Sequence, residues 1–393
     1  MTKPALLGGE PVTRAADWPT WPQWDDRERE ALADVLESGR WQAGPQVEAF
    51  EAEFAAYQGA SNALAVTNGT SSMVMVLRAA GVGPGDEVII PSYTFIATAL
   101  APMALGAVPV LVDCDPETTN IDPDAVRLAV TERTKAMIPV HVGGRPSDVD
   151  ALHAIAREHR LLVLEDAAHA HGAEWRGQRI GAFGDVASFS FQTGKSMTAG
   201  DGGCLVTPSD ELARDLASIR DFGRGHAGET VRVGGNFRMT EFQAAVLRCQ
   251  LLRLDEQIAV RQRNVEALRS KLAQVPGVRL AETDPRVTRE PHYQVVIHLD
   301  EDEFGLSKQR VLEALAAEGV PLEPGYSPLH RLPFLRDASR SGVARVEPCP
   351  ISEILADHQV LWLSFRMALA TPQQVSSVVE ALVKIQRHAE ELR

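Results

Sequence analysis

The sequence predicts an α/β fold, with a large domain built on a mostly parallel sheet of seven strands and a smaller C-terminal α+β domain. The chain has 393 residues, which is roughly two to three times the length of a typical domain. Between residues 46 and 207, short apolar runs alternate with helical patterns. Most of these runs lack polar alternation, as is typical of parallel strands that are buried on both faces.

The seven strands are expected within short apolar runs, and helical patterns such as residues 71–80 lie between them. Alternating strands and helices favour a sheet layered with helices. The expected strands cover residues 63–67, 87–90, 108–112, 136–140, 161–165, 187–191 and 203–207.

A long helix is predicted over residues 240–274, because this stretch is rich in Leu, Ala, Gln and Arg and contains neither Pro nor Gly. It is expected to connect a large domain (residues 1–255) to a small one (residues 256–393). The small domain is predicted to contain a strand near residues 293–298 and helices near 307–318 and 372–387. The Trp- and Pro-rich segment 18–24 is too apolar for a free tail and is expected to pack on the body or on a neighbouring subunit.

The composition excludes several classes of protein. A formal net charge of −14 disfavours a nucleic-acid partner, because proteins that bind nucleic acids carry a basic surface. Four cysteines without a C-x-x-C pair indicate neither a disulfide framework nor a zinc site, so we expect no metal and a cytoplasmic protein. No uncharged apolar run reaches the roughly 18 residues of a membrane span, and the N-terminus lacks the apolar core of a signal peptide.

Lys195 lies between an apolar run and a Gly-rich turn, in SFSFQTGKSMTAGDGG (188–203). A lysine that forms a Schiff base must be partly desolvated at a sheet edge, so that its amine is neutral and nucleophilic. The glycines allow the backbone to turn tightly beside a bulky group. A lone lysine in a loop is more often a solvated surface charge, so this motif needs support from others.

Asp166 follows the apolar run of residues 161–164 in LLVLEDAAHAHG (161–172). This places it at the carboxyl edge of the sheet, where open α/β folds bind ligands. An aspartate there can stabilise a protonated pyridine nitrogen, although Asp is equally a favoured helix N-cap. His169 either stacks on the site or is a structural histidine.

Gly69, Thr70 and Ser71 form a turn between a predicted strand and a helix, in VTNGTSS (66–72). Free backbone N–H groups, the helix dipole and hydroxyl donors make such a turn a phosphate site, although Ser and Thr are also ordinary caps. The spacing matches neither the P-loop nor G-x-G-x-x-G, which disfavours a nucleotide or Rossmann dinucleotide site.

Together these segments resemble the DegT/StrS family of aminotransferases for sugars and cyclitols, which depend on pyridoxal 5′-phosphate (PLP). The resemblance extends over nearly the whole chain. Besides the three segments above, the matching motifs are GRWQAGP (39–45), VEAFE (47–51), PSYTFIAT (91–98), PVH (139–141), DVD (148–150), GNFRMTE (235–241) and PLH (328–330).

The resemblance implies fold type I of the PLP-dependent transferases, the aspartate aminotransferase-like fold, with Lys195 carrying PLP as a Schiff base. Asp166 and Lys195 are then catalytic, and Gly69, Thr70, Ser71 and His169 border the cofactor. Phe95 matches the aromatic that stacks on the ring, and a core aromatic is the alternative. Ser190 matches a phosphate-binding hydroxyl. Asn236 matches an asparagine that reaches the cofactor of a neighbouring subunit, which implies a homodimer with shared active sites.

Three residues are expected on the substrate side. Tyr93 belongs to the matching motif at residues 91–98, and His330 matches a substrate-side histidine, with a surface residue as the alternative. Arg366, in WLSFR (362–366), is a hypothetical carboxylate-binding residue, with a structural salt bridge as the alternative.

The expected reaction moves an amino group from L-glutamine or L-glutamate to a ketone on a cyclitol or sugar ring, in aminocyclitol, aminosugar or antibiotic biosynthesis. FQTGKSMTAG (191–200) is similar to the 3-amino-5-hydroxybenzoate synthase and inosose aminotransferase branch, whereas nucleotide-sugar members usually carry histidine at Gln192. VGGR (142–145) departs from many relatives, so the ketone is open.

Several alternatives remain. Synthase-type PLP chemistry and nucleotide-sugar amination stay open, whereas Lys195 disfavours dehydratases, which carry histidine at this position. The complete set of Asp166, Ser190 and Lys195 disfavours a non-catalytic regulator on the same fold. An NAD-dependent dehydrogenase is disfavoured because VGPG (82–85) is not followed by a helix.

Overall fold

A computed structural model describes residues 3–225 and 227–393 of the chain. The strands are β1 (Asn62–Val66), β2 (Glu87–Pro91), β3 (Val108–Val112), β4 (Thr134–Met137), β5 (Leu162–Asp166), β6 (Glu174–Trp175), β7 (Gln178–Arg179), β8 (Val186–Ser190), β9 (Gly203–Thr207), β10 (Val278–Leu280), β11 (Val287–Arg289), β12 (Gln294–Leu299), β13 (Arg345–Val346) and β14 (Val360–Ser364).

Helices of very different length connect and cover these strands. They are α1 (Asp26–Ser38), α2 (Pro45–Gln58), α3 (Gly69–Ala79), α4 (Ala97–Met103), α5 (Pro123–Ala129), α6 (Val149–His159), α7 (Asp210–Arg220), α8 (Glu241–Leu272), α9 (Glu301–Phe304), α10 (Lys308–Ala317), α11 (Pro333–Arg340), α12 (Pro350–Ile354), α13 (Phe365–Ala368), α14 (Pro372–Arg387) and α15 (Ala389–Leu392). Among the described residues, none of them is both long and apolar enough to cross a membrane.

The main sheet has the strand order β1-β9-β8-β5-β4-β2-β3-β13. Strand β9 runs antiparallel to β1 and β8, and the other pairs are parallel. The predicted α/β fold with a mostly parallel sheet is therefore confirmed. All seven predicted strands are present, and β13 adds an eighth by pairing with β3. A strand of two residues carries no periodicity that a sequence can reveal.

The strand boundaries agree with the predicted ones to within one residue at six strands. The exception is β4, which was expected to reach Val140 and ends at Met137, while Val140 makes only an isolated bridge to Asp166. The residues after Met137 still run beside the neighbouring strands: the Ile138 N–H donates to the Ile89 carbonyl of β2 at 2.8 Å, and the Pro139 carbonyl accepts from the Asp166 N–H of β5 at 2.8 Å.

The strands of the main sheet are mostly apolar because helices cover both of its faces. In β1, Leu64 and Val66 pack in the core on one face, and Ala63 and Ala65 pack in the core on the other. Successive side chains of a strand point to opposite faces, so a strand between two cores needs apolar residues at every position.

The long helix α8 passes from the large core into the small one. Its first turn is capped by Thr240 and Gln243, which exchange hydrogen bonds with each other's backbone N–H groups. Leu247 and Leu254 pack in the large core, whereas Leu268 packs in the small one. This agrees with the predicted connecting helix over residues 240–274.

The small core surrounds an antiparallel sheet of β10, β12 and β14. The predicted strand near residues 293–298 corresponds to β12, and the two predicted helices correspond to α10 and α14. Trp18 of the N-terminal segment is buried there, and its Nε1 donates to the Gly319 carbonyl at 2.8 Å. The division into residues 1–255 and 256–393 stays a prediction.

A buried ion pair anchors the N-terminal segment to the small core. Lys384 on α14 donates to Glu318 at 2.9 Å, and both side chains are almost fully buried. The Glu318 carboxylate also accepts from the backbone N–H groups of Ala5 and Val12 at 2.8 and 3.0 Å. One carboxylate therefore joins α14 to two points of the N-terminal segment.

Replacing Lys384 by Met should destabilise the protein by about 3–5 kcal/mol, because it leaves the Glu318 charge buried without its cation. The measurement is urea unfolding of the purified variant. The matched control is Arg387→Met on the exposed side of the same helix, which should stay within about 0.5 kcal/mol of the parent. Equal losses in both variants would contradict a special role of the buried pair.

Candidate active site

A cavity of about 720 Å³ lies at the carboxyl edge of the main sheet. Loops that follow β1, β2, β5 and β8 form one side, and residues of the small core, from β12, β14 and the segment between α10 and α11, form the other. Ligands bind at this edge in open α/β sheets. Eight of the residues predicted from the sequence line the cavity, namely Gly69, Thr70, Ser71, Phe95, Asp166, His169, Ser190 and Lys195.

Lys195 points its amine into this cavity from the loop after β8. The amine lies 5.0 Å from the centroid of the Tyr293 ring. Burial lowers the pKa of Lys195 to about 8, although the charge of Asp166 acts in the opposite direction. The neutral fraction of this amine near neutral pH is therefore far larger than that of a lysine in water, as nucleophilic attack and proton abstraction require.

Asp166 is the last residue of β5 and is buried at the cavity floor. Thr98 donates to its Oδ2 at 3.0 Å, and the backbone N–H of Ala168 donates to its Oδ1 at 3.2 Å. Burial raises its pKa, so the ionised form requires a cation beside it. Its backbone is in a strand, and the predicted alternative of a helix N-cap does not describe it.

His169 is a neutral ring that braces the cavity wall. It stacks on Tyr293 with a centroid distance of 4.2 Å and an interplanar angle of 24°. Its Nδ1 accepts from the Gly143 N–H at 3.3 Å, so Nε2 carries the proton and faces the Tyr326 hydroxyl at 3.4 Å. Burial holds its pKa well below the ordinary value.

An anion cradle is formed by the start of α3 and the end of β8. The Asn68 side chain caps the Ser71 N–H at 2.8 Å, whereas the N–H groups of Gly69 and Thr70 have no acceptor within the described part of the chain. A Cβ on Gly69 would lie 3.0 Å from the Ser190 Cβ. Glycine therefore keeps this cradle open beside the Ser190 hydroxyl, and donors at a helix N-terminus favour a phosphate.

Gly203 explains why the cradle has this shape. It begins β9 and lies against the backbone of Asn68, where a Cβ would approach the Asn68 carbonyl carbon to 2.4 Å. Only glycine allows β9 to pack this closely on the turn before α3.

Phe95 stands in the loop between β2 and α4 at the cavity. It is 55% exposed, so the alternative of a core aromatic does not apply. An exposed aromatic on a cavity wall is available to stack on a planar ligand.

The other four predicted site residues do not line the cavity. Tyr93 lies beneath its wall, fully buried, and accepts from the Tyr326 N–H at 3.2 Å. Both ring nitrogens of His330 are occupied by Ser92 and Glu353, at 2.7 and 2.8 Å. Their predicted contacts with a substrate stay predictions.

Arg366 and Asn236 are both exposed. Within the described residues, no carboxylate lies at ion-pair distance from Arg366. The structural salt bridge, which was the alternative to a carboxylate-binding role, is therefore not formed within the single chain. Asn236 pairs through its backbone with Asp221. The proposed contact of Asn236 with a neighbouring subunit stays a prediction.

Sequence reasoning missed the wall that the small core contributes. It consists of Tyr293, Gln294, Glu323, Tyr326 and Trp362. These residues come from three separate segments without a local motif. The one available signal was the position of Tyr293, next to the predicted strand at residues 293–298.

The cavity fits PLP by the chemistry of its side chains. Lys195 supplies a partly neutral amine, the turn at Gly69 and Thr70 supplies free donors for a phosphate, and Asp166 supplies a buried carboxylate that needs a cation. A protonated pyridine nitrogen is such a cation. Among the described residues, no group of three or more His, Cys, Asp or Glu side chains is arranged to hold a metal ion.

Comparison with known proteins gives consistent matches over almost the full length. The model of the DegT/DnrJ/EryC1/StrS aminotransferase family matches residues 22–383. The 3-amino-5-hydroxybenzoate synthase of Amycolatopsis mediterranei is 40% identical, with 94% of this chain and 97% of the relative covered. The L-glutamine:2-deoxy-scyllo-inosose aminotransferase of Streptoalloteichus tenebrarius is also 40% identical, with 99% of each chain covered.

Solved structures give the same result. The crystal structure of 3-amino-5-hydroxybenzoic acid synthase superposes with a TM-score of 0.87 at 40% identity, covering 94% of this chain and 99% of the other. The structure of DesI in the presence of its TDP-sugar product gives a TM-score of 0.85 at 34% identity, covering 98% and 96%.

Glu165, the neighbour of Asp166 on β5, should contribute stability that depends on pH. Burial raises its pKa, but His141 at 3.3 Å and His153 at 3.7 Å outweigh this effect and hold it at about 2, below the ordinary 4.5. A depressed native pKa stabilises the fold above about pH 4.5, and this contribution is lost as the pH falls towards 2. Urea unfolding at a series of pH values measures it.

The difference in unfolding free energy between the parent and Glu165→Gln should therefore shrink steadily between pH 4.5 and 2. Glu158→Gln is the matched control, since Glu158 is an exposed carboxylate of the same domain. A difference that stays constant over this range would contradict the assignment.

Proposed function

The chain belongs to the DegT/DnrJ/EryC1/StrS aminotransferase family and is a PLP-dependent aminotransferase, and from this premise we propose its substrates. The amino donor is L-glutamine or L-glutamate, and the acceptor is a ketone on a cyclitol or sugar ring, in the biosynthesis of aminocyclitols, aminosugars or antibiotics. The observation that carries the proposal is one cavity that joins a partly neutral Lys195 amine, a buried Asp166 carboxylate and an anion cradle.

Several residues of the cavity would hold the cofactor. Lys195 would hold it covalently, Gly69, Thr70, Ser71 and Ser190 would hold its phosphate, and Phe95 would cover its ring. When bound, PLP supplies an electron sink for the bond broken at the donor's α-carbon, and a carboxylate beside the ring nitrogen keeps it effective.

Lys195 also serves as the acid–base group. Its Nζ takes the proton from the α-carbon of the donor. In the second half of the reaction it delivers a proton to the acceptor carbon that receives the amino group. A pKa of about 8 suits both directions, because an acid–base catalyst works best when its pKa lies near the working pH. The aromatic wall of Tyr293, Tyr326 and Trp362 restricts water around this amine.

Similarity to an inosose aminotransferase and to a hydroxybenzoate synthase at equal identity supports a cyclic ketone as the acceptor. Gln192, which lines the cavity where nucleotide-sugar members usually carry histidine, favours this branch over nucleotide-linked sugars. Synthase-type chemistry on the same scaffold is the second candidate function, supported by the match to the synthase.

We also propose a homodimer with shared active sites in the cytoplasm. Asn236 is exposed outside its own cavity, and the large apolar side chains Phe222, Val231 and Val233 are exposed near it in the chain. Exposed apolar surface supports an interface, and a two-fold dimer is the commonest soluble assembly. All four cysteines are buried and unpaired, which supports a reducing compartment.

Replacing Lys195 by Ala should abolish turnover and remove the visible absorbance of a lysine–PLP Schiff base, because the amine is both the anchor and the base. Absorbance spectra and an amino-transfer assay of the reconstituted variant measure the two effects. Lys135→Ala, at an exposed position of β4, is the matched control and should keep both. If Lys195→Ala retained the visible band, another lysine would be the anchor.

Mixing Lys195→Ala with Asn236→Asp should restore activity that neither variant has alone. If Asn236 reaches the partner's cofactor, each mixed dimer contains one intact site, and random pairing recovers about a quarter of the sites. Asn236→Asp alone should have little turnover, because the new negative charge repels the phosphate of the partner's cofactor. Turnover of the remixed variants measures this, and a mixture no more active than its components would contradict shared sites.

A further inference from the structure

The segment of residues 323–326, which we name the roof segment, is held rigidly over the cavity. Glu323 exchanges two backbone hydrogen bonds with Trp362 of β14, at 2.9 and 2.8 Å. Next to it, the buried Lys308 ammonium donates to the carbonyl oxygens of Pro324, Leu355 and Ala356 at 2.8, 3.4 and 2.5 Å. A cation with all three donors engaged fixes its acceptors firmly.

Tyr93 supports the roof segment from below. Gly325 has a φ of +80°, and a Cβ there would lie 2.2 Å from the Tyr93 hydroxyl. The same hydroxyl accepts from the Tyr326 N–H. The fully buried Tyr93 is therefore a positioning residue, which fixes the place of the roof segment.

The Glu323 carboxylate faces the cavity almost without partners. Its one side-chain hydrogen bond is a long one, from Gln294 Nε2 at 3.5 Å. Within the described chain, no Lys, Arg or His nitrogen lies within ion-pair distance of it. A carboxylate on a rigid wall without donors is ready to accept hydrogen bonds from a ligand.

The charge of the cavity lining also favours a ligand that donates hydrogen bonds or carries a positive charge. The lining contains three carboxylates, Asp166, Asp201 and Glu323, against the single amine of Lys195, and His169 is held neutral. Burial raises the pKa of Tyr293, Glu323 raises it further, and Arg366 opposes them.

Resting on the proposed function, we propose that Glu323 determines which ring ketone is accepted, by binding hydroxyl or ammonium substituents of the ring and by repelling a ring carboxylate. Hydroxyl and ammonium groups donate to a carboxylate, whereas a second carboxylate offers no donor and adds a like charge. The acceptor is therefore a polyhydroxylated or amino-bearing cyclic ketone, and a ketone with an acidic ring is a poor substrate.

The test compares two ring ketones as acceptors. One is scyllo-inosose, and the other is the same polyhydroxylated cyclohexanone with one of its hydroxyls replaced by a carboxylate. The wild-type enzyme, with L-glutamine as donor, should favour the inosose in kcat/KM by tenfold or more, and Glu323→Gln should reduce this ratio by about tenfold, as expected for a hydrogen bond to a charged group. Glu303→Gln, at an exposed position, is the matched control and should leave the ratio unchanged.

An unchanged ratio in Glu323→Gln, or a wild-type preference for the acidic ring, would overturn the role of Glu323. Calorimetric binding of the two corresponding ring alcohols, which cannot react, to wild-type holoenzyme gives a second measurement that does not depend on the folding of a variant. The polyhydroxylated ring should bind more tightly, and equal binding would also overturn the proposal.

Failure of the proposed function has a different signature. If wild-type holoenzyme with L-glutamine and L-glutamate never loses the visible band of its cofactor, the donor half of the proposed function is wrong, whatever the calorimetry shows. If the donor half-reaction proceeds and only the expected kcat/KM ratio between the two ring ketones is not observed, the role of Glu323 alone is wrong.

Discussion

The removal of Lys195 from water is the constraint on which the rest of the site depends. An amine in water is almost fully protonated at neutral pH and cannot act as a nucleophile or a base. Here burial lowers its pKa to about 8, which requires walls on both sides. The main sheet provides one wall, and aromatic side chains of the small core provide the other. The helix α8, which joins the two cores, therefore helps to hold together the two walls that lower the pKa of Lys195.

The same desolvation separates two neighbouring carboxylates of β5. Asp166 faces the cavity, where burial raises its pKa, so its ionised form needs a neighbouring cation. Glu165 faces the opposite side, where His141 and His153 stabilise its charge. Alternation along a strand thus gives one carboxylate to the site and the other to the scaffold.

The half of the site that the main sheet provides could be predicted from the sequence, because each residue lies just beyond an apolar strand. The edge of a parallel sheet gathers the residues after its strands, so Asp166, Lys195 and the turn at Gly69 were identified from local patterns, whereas Ser190 was identified from the family resemblance. The aromatic wall could not be predicted in this way. Tyr293, Glu323 and Trp362 come from distant segments, and only the packing of the small core brings them together.

The central claim is that this cavity accepts an amino group through PLP from an amino acid and delivers it to a cyclic ketone. The most direct measurement mixes the holoenzyme with L-glutamine under single-turnover conditions, follows the visible band, and then adds scyllo-inosose. The account predicts that the band disappears with glutamine, returns with the ketone, and leaves an aminocyclitol in equal amount. A band that disappears with glutamine and returns with neither an inosose nor any other cyclic ketone would contradict it.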